Sequence, residues 1–313
     1  MSSGPVAVID IGSNSIKILV AVRVDDGGLL TLHSRTLDAR ISAGISHQRP
    51  RLSPEGMARG REAIRTLLGD ADTFAATRRV LVATSAVRDA ENGGEFRAQV
   101  RAATGEEIRI LTGEEEANLI GQGLTCDPAL RQLRDFHVFD LGGGSLEALA
   151  FLHRHVGQAV SLPLGCVRLT ERFVADPSQP FAPSAGLSIA AEVRAQFERA
   201  AFVFSRPSGT VAVGTGGSIA TARTILGARE QKTFEATASV VPVDALRELL
   251  TTLGALPLAA RREIRGLPPA RADVFPTALA TLIAVAEIGG FDAFHHSLFN
   301  LRYGLAAEAL GGA

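Results

Sequence analysis

Tryptophan is absent from the 313 residues, tyrosine occurs once, and cysteine and methionine occur twice each. So few large aromatics argue against a base-stacking platform for single-stranded nucleic acid. Cys126 and Cys166 have no metal-ligand spacing and cannot supply a disulfide framework for a chain this long, so both are read as small buried residues. Lysine is nearly missing: only Lys17 and Lys232 occur, and every other member of the 32 basic residues is arginine. A GC-rich genome produces that bias by itself. Arginine nevertheless binds phosphate oxygens bidentately, where lysine acts as a point charge. The formal charge of −1 creates no global field for a polyanion, so any phosphate selectivity has to be local.

No apolar run approaches the roughly 20 residues of a membrane helix, and a short polar start leads straight into a strand. A cytoplasmic location without membrane attachment is the expectation. Neither lysine follows the glycine run of a Walker loop, the turn Gly214–Gly217 lacks the full dinucleotide fingerprint, and no serine-hydrolase elbow is present. His153 and His155, at strand spacing, and the pair His295-His296 have no accompanying ligand cluster, so neither is read as a zinc site.

What is present reads as an ordinary globular chain of two domains, with 46% hydrophobic and 21% charged residues. Strands are expected at Val6–Ile11, Ile16–Val24 and Leu29–Ser34. Ser53-Pro54 then starts a helix with Met57, Ile64 and Leu68 on one face. Strand Val80–Ala83, helix Glu95–Ala103, strand Ile108–Leu111 and a helix after Thr112 complete the first half. The second half restarts with strands Val138–Leu141, Leu146–Leu152 and Val156–Leu162, followed by helices Val167–Phe173 and Ala190–Phe202 and strand Thr210–Val213. The remainder reads as mostly helical, including Ala272–Ile288. Domains are expected at 1–125 and 126–300, with a last helix, about 301–313, packing back on the first.

The order repeats because a motif repeats. Val8–Lys17 (VIDIGSNSIK) aligns with Val138–Glu147 (VFDLGGGSLE), matching aspartate, glycine and serine in register. Each copy is an apolar strand ending in an aspartate, then a small-residue turn that can turn its N–H groups toward phosphate oxygens. The aspartate can hold a divalent cation. Alone, each copy is also a common structural device; the pair, with the third turn at Gly214–Gly217, resembles the actin-like ATPase superfamily. That implies an α/β chain with a duplicated actin-like (ribonuclease H-like) fold, its two domains flanking a central cleft.

Within that superfamily, DIGSNSIK from Asp10, ATSAVRDAENG from Ala83, TGEEEANLI from Thr112, FDLGGGSLE from Phe139, SLPLGCVRLTERF from Ser161 and RADV from Arg271 resemble the exopolyphosphatase/guanosine-pentaphosphatase family. The resemblance implies a hydrolase in which Glu116 activates water. Thr112 and Glu115 stand at capping-box spacing and Glu114 lies in the first helical turn, which leaves Glu116 without a structural role. It further implies Mg2+ or Mn2+ on Asp140 and Glu147 with help from Asp10. Phosphate contacts would come from Ser13, Asn14, Ser85, Arg88, Gly143, Gly144 and Ser145, with Arg271 on the distal chain. Leu146 stands where the family usually has threonine, and Tyr303 where it commonly has an acid. The family's longer members append a helical phosphohydrolase-like domain, so the short two-domain form is expected here, with short polyphosphate as substrate and a homodimer as the default assembly. Guanosine pentaphosphate of the stringent response presents the same terminal anhydride. An actin-like small-molecule kinase and a non-catalytic polyphosphate scaffold are the other readings.

Overall fold

A computed structural model describes residues 4–25, 27–42, 50–204 and 210–311. The chain divides into two compact units, Met1–Gln132 with Phe299–Ala313, and Leu133–Leu298.

The first unit runs β1 (Val6–Ile11), β2 (Ile16–Arg23), β3 (Leu29–Leu37), α1 (Pro54–Thr73), β4 (Arg78–Ala83), α2 (Ser85–Arg88), α3 (Gly93–Thr104), β5 (Ile108–Ile110) and α4 (Gly113–Thr125). The second runs β6 (Phe136–Leu141), β7 (Leu146–Leu152), β8 (His155–Leu162), α5 (Cys166–Phe173), α6 (Pro183–Arg199), β9 (Val211–Thr215), α7 (Gly216–Arg229), β10 (Val240–Pro242), α8 (Val243–Gly254), α9 (Leu258–Arg262), α10 (Phe275–Gly289) and β11 (Ala293–His296). Helix α11 (Leu301–Ala309) belongs to the first unit.

The sheet orders are β3-β2-β1-β4-β5 and β8-β7-β6-β9-β11-β10. In both, the first three strands form an antiparallel meander and the next two run parallel to the first. The second sheet adds β10 at its edge, antiparallel to β11. This is the duplicated actin-like arrangement expected from the repeat.

Each turn and cap has a local cause. Ser53 accepts from the Gly56 N–H at 3.0 Å with Pro54 at the first helical position, which starts α1. Gly105, left-handed at φ 78°, ends α3. Every residue of β1 is buried, because its sheet is covered on both faces. Alternation sends Ala7, Ile9 and Ile11 into a core with Ile18, Ile64, Leu67 and Phe96. Val6, Val8 and Asp10 take the opposite face.

Some expectations need correction. Helix α6 starts earlier and ends earlier than Ala190–Phe202. The mostly helical C-terminal part also contains β10 and β11, strands of three and four residues that are too short to show a period. His153 is not on a strand face with His155. It forms, with Arg154, the two-residue turn joining β7 to β8, both at positive φ (50° and 66°) as a twist-matched hairpin requires.

His296 on β11 is buried, and its Nδ1 accepts from Arg223 Nη1 at 3.3 Å. Arg223 on α7 also donates to the carbonyls of Phe234 and Thr237 and lies over the Phe234 ring. Burial, aided by the Arg223 charge, pushes the imidazole down to about 4. The folded state therefore holds His296 neutral while the unfolded chain protonates near pH 6.5. Stability is unaffected above that value, falls as pH drops through it, and reaches its full loss below about pH 4. Urea melts between pH 7 and pH 4 are expected to show about 3 kcal/mol lost from this residue, and a smaller pH slope in His296→Gln.

Candidate active site

In the second unit the turn Gly142–Ser145 closes with Gly142 N–H donating to the Ser145 carbonyl at 3.0 Å. Helix α5 begins against it. The N–H of Cys166 donates to the Gly142 carbonyl, and those of Val167 and Arg168 to the Gly143 carbonyl, at 2.9–3.2 Å. Arg168 Nε holds the Gly144 carbonyl at 2.9 Å. These contacts satisfy the orphan donors of a helix start that lacks a side-chain cap. They also orient the turn. A trans peptide carries its N–H opposite its C=O, so pinning three successive carbonyls toward α5 aims the N–H groups of Gly143, Gly144 and Ser145 the other way. Gly165 makes this docking possible, since a Cβ there would overlap the Gly143 carbonyl.

The first unit repeats the device with other partners. Gly12 N–H donates to Ser15 O at 3.2 Å. The Ser13 carbonyl is held by the N–H and Oγ of Ser42, and the Asn14 carbonyl by the Arg40 N–H. The N–H groups of Asn14 and Ser15 consequently point away from that segment. The Asn14 amide is buried, and neither of its polar atoms has a partner among the described residues. Such a group costs about 1–3 kcal/mol unless a ligand satisfies it.

From this turn a line of contacts runs to the sequence-nominated base. Ser13 Oγ meets Ser85 Oγ at 3.3 Å. Arg88, one turn along α2 on the same face, places Nη1 2.9 Å from Glu116 Oε2 and 3.1 Å from the Leu111 carbonyl. Its Nε faces Asp89 at 3.3 Å. Glu116 sits in the first turn of α4, whose capping box is complete: Thr112 Oγ1 accepts from Glu115 N–H, and Glu115 Oε2 from Thr112 N–H. Hydrogen bonds from Arg109 and from the Thr112 backbone hold the Glu115 carboxyl down to about 2. Glu115 is thus occupied structurally, whereas Glu116 is buried and ion-paired.

The strand registers distinguish the two copies. Asp140 lies opposite Glu147, which lies opposite Ser161; Ser161 Oγ donates to Glu147 Oε1 at 2.7 Å. In the first unit the corresponding row is Asp10, Lys17 and Thr36. An acid faces an acid in one copy and a cation in the other. Two adjacent carboxylates are what Mg2+ usually takes from a protein, with water and phosphate oxygens completing the shell. Asp140 and Glu147 fit that requirement; Asp10 beside Lys17 does not make a second such pair. Among the described residues no group of three or more His, Cys, Asp or Glu has metal-site geometry.

The third glycine turn leads β9 into α7. Gly216 has φ 82°, and a Cβ on it would strike Asp140 Oδ1, so the turn packs directly on the carboxylate. Arg271 is placed here too, with Nη2 3.3 Å from Ser218 Oγ and its guanidinium against Gly217. Ser218 Oγ in turn donates to the Leu141 carbonyl at 2.9 Å. A guanidinium at the positive end of a helix adds like to like, an arrangement suited to an anion. Sequence reasoning missed Ser161, Ser218 and the Arg88–Glu116 pair. Ser161 stood inside a quoted motif, but only strand register reveals its partner. Tyr303 lies outside this group; its hydroxyl meets Thr31 Oγ1 at 2.9 Å.

Among known proteins, the family model described as "Ppx/GppA phosphatase family" matches residues 20–312. The structure of an exopolyphosphatase from Cytophaga hutchinsonii superposes with a TM-score of 0.88 at 22% identity, covering 99% of each chain. That of the Aquifex aeolicus PPX-GPPA enzyme superposes at 0.77 with 24% identity, covering 97% of this chain and 99% of that one. At these identities the likenesses bear on the fold.

Replacing Thr112 by alanine removes one half of the capping box and is expected to lower stability by about 1 kcal/mol in urea denaturation. Gly216→Ala forces both a strained backbone and a displaced Asp140. It is expected to cost about 1–3 kcal/mol in the same measurement.

Proposed function

Since the chain belongs to the Ppx/GppA phosphatase family, we propose that it is an exopolyphosphatase, removing terminal phosphates from inorganic polyphosphate. The observation that carries this reading is the contact line from the Asp10 turn through Ser13 and Ser85 to Arg88 and Glu116. It joins a phosphate-facing backbone to a buried carboxylate within one unit.

In this reading Glu116 takes a proton from water as the water oxygen attacks the terminal phosphorus. The bond from that phosphorus to the bridging oxygen breaks, releasing orthophosphate and a chain shorter by one unit. The N–H groups of Asn14 and Ser15 in one unit and of Gly143, Gly144 and Ser145 in the other bind phosphate oxygens, and the Asn14 amide acquires a partner that the described residues do not supply. Within its own unit each turn has an arginine beside it for charge-assisted hydrogen bonds to phosphate, Arg88 in the first and Arg271 in the second. Asp140 and Glu147 would hold Mg2+ or Mn2+, which when bound neutralises phosphate charge. Ser161 fixes one oxygen of Glu147, leaving the carboxylate a defined orientation.

The test is orthophosphate release with Mg2+ from tripolyphosphate, long-chain polyphosphate, guanosine pentaphosphate and ATP. Wild type is expected to hydrolyse polyphosphate, and Glu116→Gln to lose about 100- to 10,000-fold in kcat. Faster release from guanosine pentaphosphate would reassign the substrate. Undiminished release by the variant would remove Glu116 from the chemistry.

A further inference from the structure

The Arg88–Glu116 pair raises a conflict. Both N–H groups of Arg88 Nη1 are in use, on Glu116 Oε2 and on the Leu111 carbonyl, so a phosphate that takes this nitrogen has to take it from the base. Arg88 Nη1 is 2.9 Å from Glu116 Oε2, and Arg88 is the outer partner, with 23% of its side chain exposed against 7% for Glu116. Its helix also carries Ser85, which is bonded to Ser13 of the phosphate-facing turn. An incoming phosphate chain therefore meets Arg88 before it meets Glu116.

We propose that substrate binding exchanges the partner of Arg88: the terminal phosphate draws the guanidinium from Glu116, freeing the carboxylate to accept the proton of the attacking water. This rests on the reading of Glu116 as base and adds how the base is switched on. In the resting pair, Arg88 offsets the burial of a charged carboxylate but occupies the oxygen that must take the proton. The phosphate brings more negative charge than the carboxylate and competes for the same donors. The Leu111 carbonyl, which also accepts from Nη1, and Asp89, which faces Nε, keep the arginine near its place during the exchange. The pair thus couples proton acceptance to occupancy, so that an empty site holds no activated water.

Reciprocal linkage makes this measurable. If substrate has to take Arg88 from Glu116, then removing the Glu116 charge strengthens substrate binding, and does so through Arg88. Removing a nearby negative charge also strengthens anion binding in general, so the two effects need a cycle. The probe is a methylene-bridged tripolyphosphate, which cannot be hydrolysed, titrated calorimetrically with Mg2+ into wild type, Glu116→Gln, Arg88→Met and the double variant. The expected result is a gain of about tenfold in affinity on Glu116→Gln in the wild-type background and no gain in the Arg88→Met background. An equal gain in both backgrounds, or none in either, overturns the exchange. Arg88→Lys, which keeps the charge but loses the planar fork, serves if Arg88→Met melts early, and is expected to reduce the gain. Because the readout is binding, it is separate from the reaction. Loss of phosphate release in Glu116→Gln with no affinity gain keeps the base and sinks the switch, whereas full release in that variant removes the base itself.

Discussion

Both small-residue turns depend on one requirement: a backbone carbonyl has to be hydrogen-bonded when it is taken out of water. In the second unit the start of α5 supplies the donors, and in the first unit Arg40 and Ser42 supply them. Because peptides are planar, satisfying the carbonyls leaves the amide protons facing the other way. The site is thus the complement of a packing solution, and its polarity follows from which half of each peptide the protein uses for itself. Gly165 is needed for the same reason, since a single added carbon would block the docking, while Gly216 is needed to leave room for the Asp140 carboxylate.

The duplicated topology makes the differences between the copies informative. The same strand position carries Lys17 in one sheet and Glu147 in the other, each opposite an aspartate. One copy has a built-in cation beside its acid. The other has two acids side by side, one of them held by the Ser161 hydroxyl. Equal backbones therefore give unequal sites, and the choice is made by one side chain per strand.

Much of this was legible in the sequence, for local reasons. The aspartate–glycine–serine repeat, the Ser53 cap and the Thr112–Glu115 box all depend on residues a few positions apart, so their spacing is their geometry. The separation of Glu115 from Glu116 followed from the same box. What the sequence did not disclose lies between distant segments: Arg88 with Glu116, Ser161 with Glu147, and Arg271 on the turn before Ser218. Those pairs depend on strand register and on which helix start a loop meets, and no local pattern encodes either. Strands β10 and β11 escaped for a different reason, being too short for a period.

Helix α11 crosses α4 so closely that a Cβ on Gly304 would overlap the Leu119 carbonyl, and one on Gly123 the Asn300 carbonyl. Its last carbonyls are gripped by Arg23 from β2 and Arg78 from β4. The helix that bears Glu116 therefore leans on residues made after the whole of the second unit. A ribosome emitting this chain finishes the continuous segment Leu133–Leu298 before α11 exists, so the second unit is free to fold while the first waits for its closing piece. The helix that carries the buried Glu116 carboxylate thus gains this packing partner only after the second unit has been made, and a message truncated before residue 299 yields a chain without it.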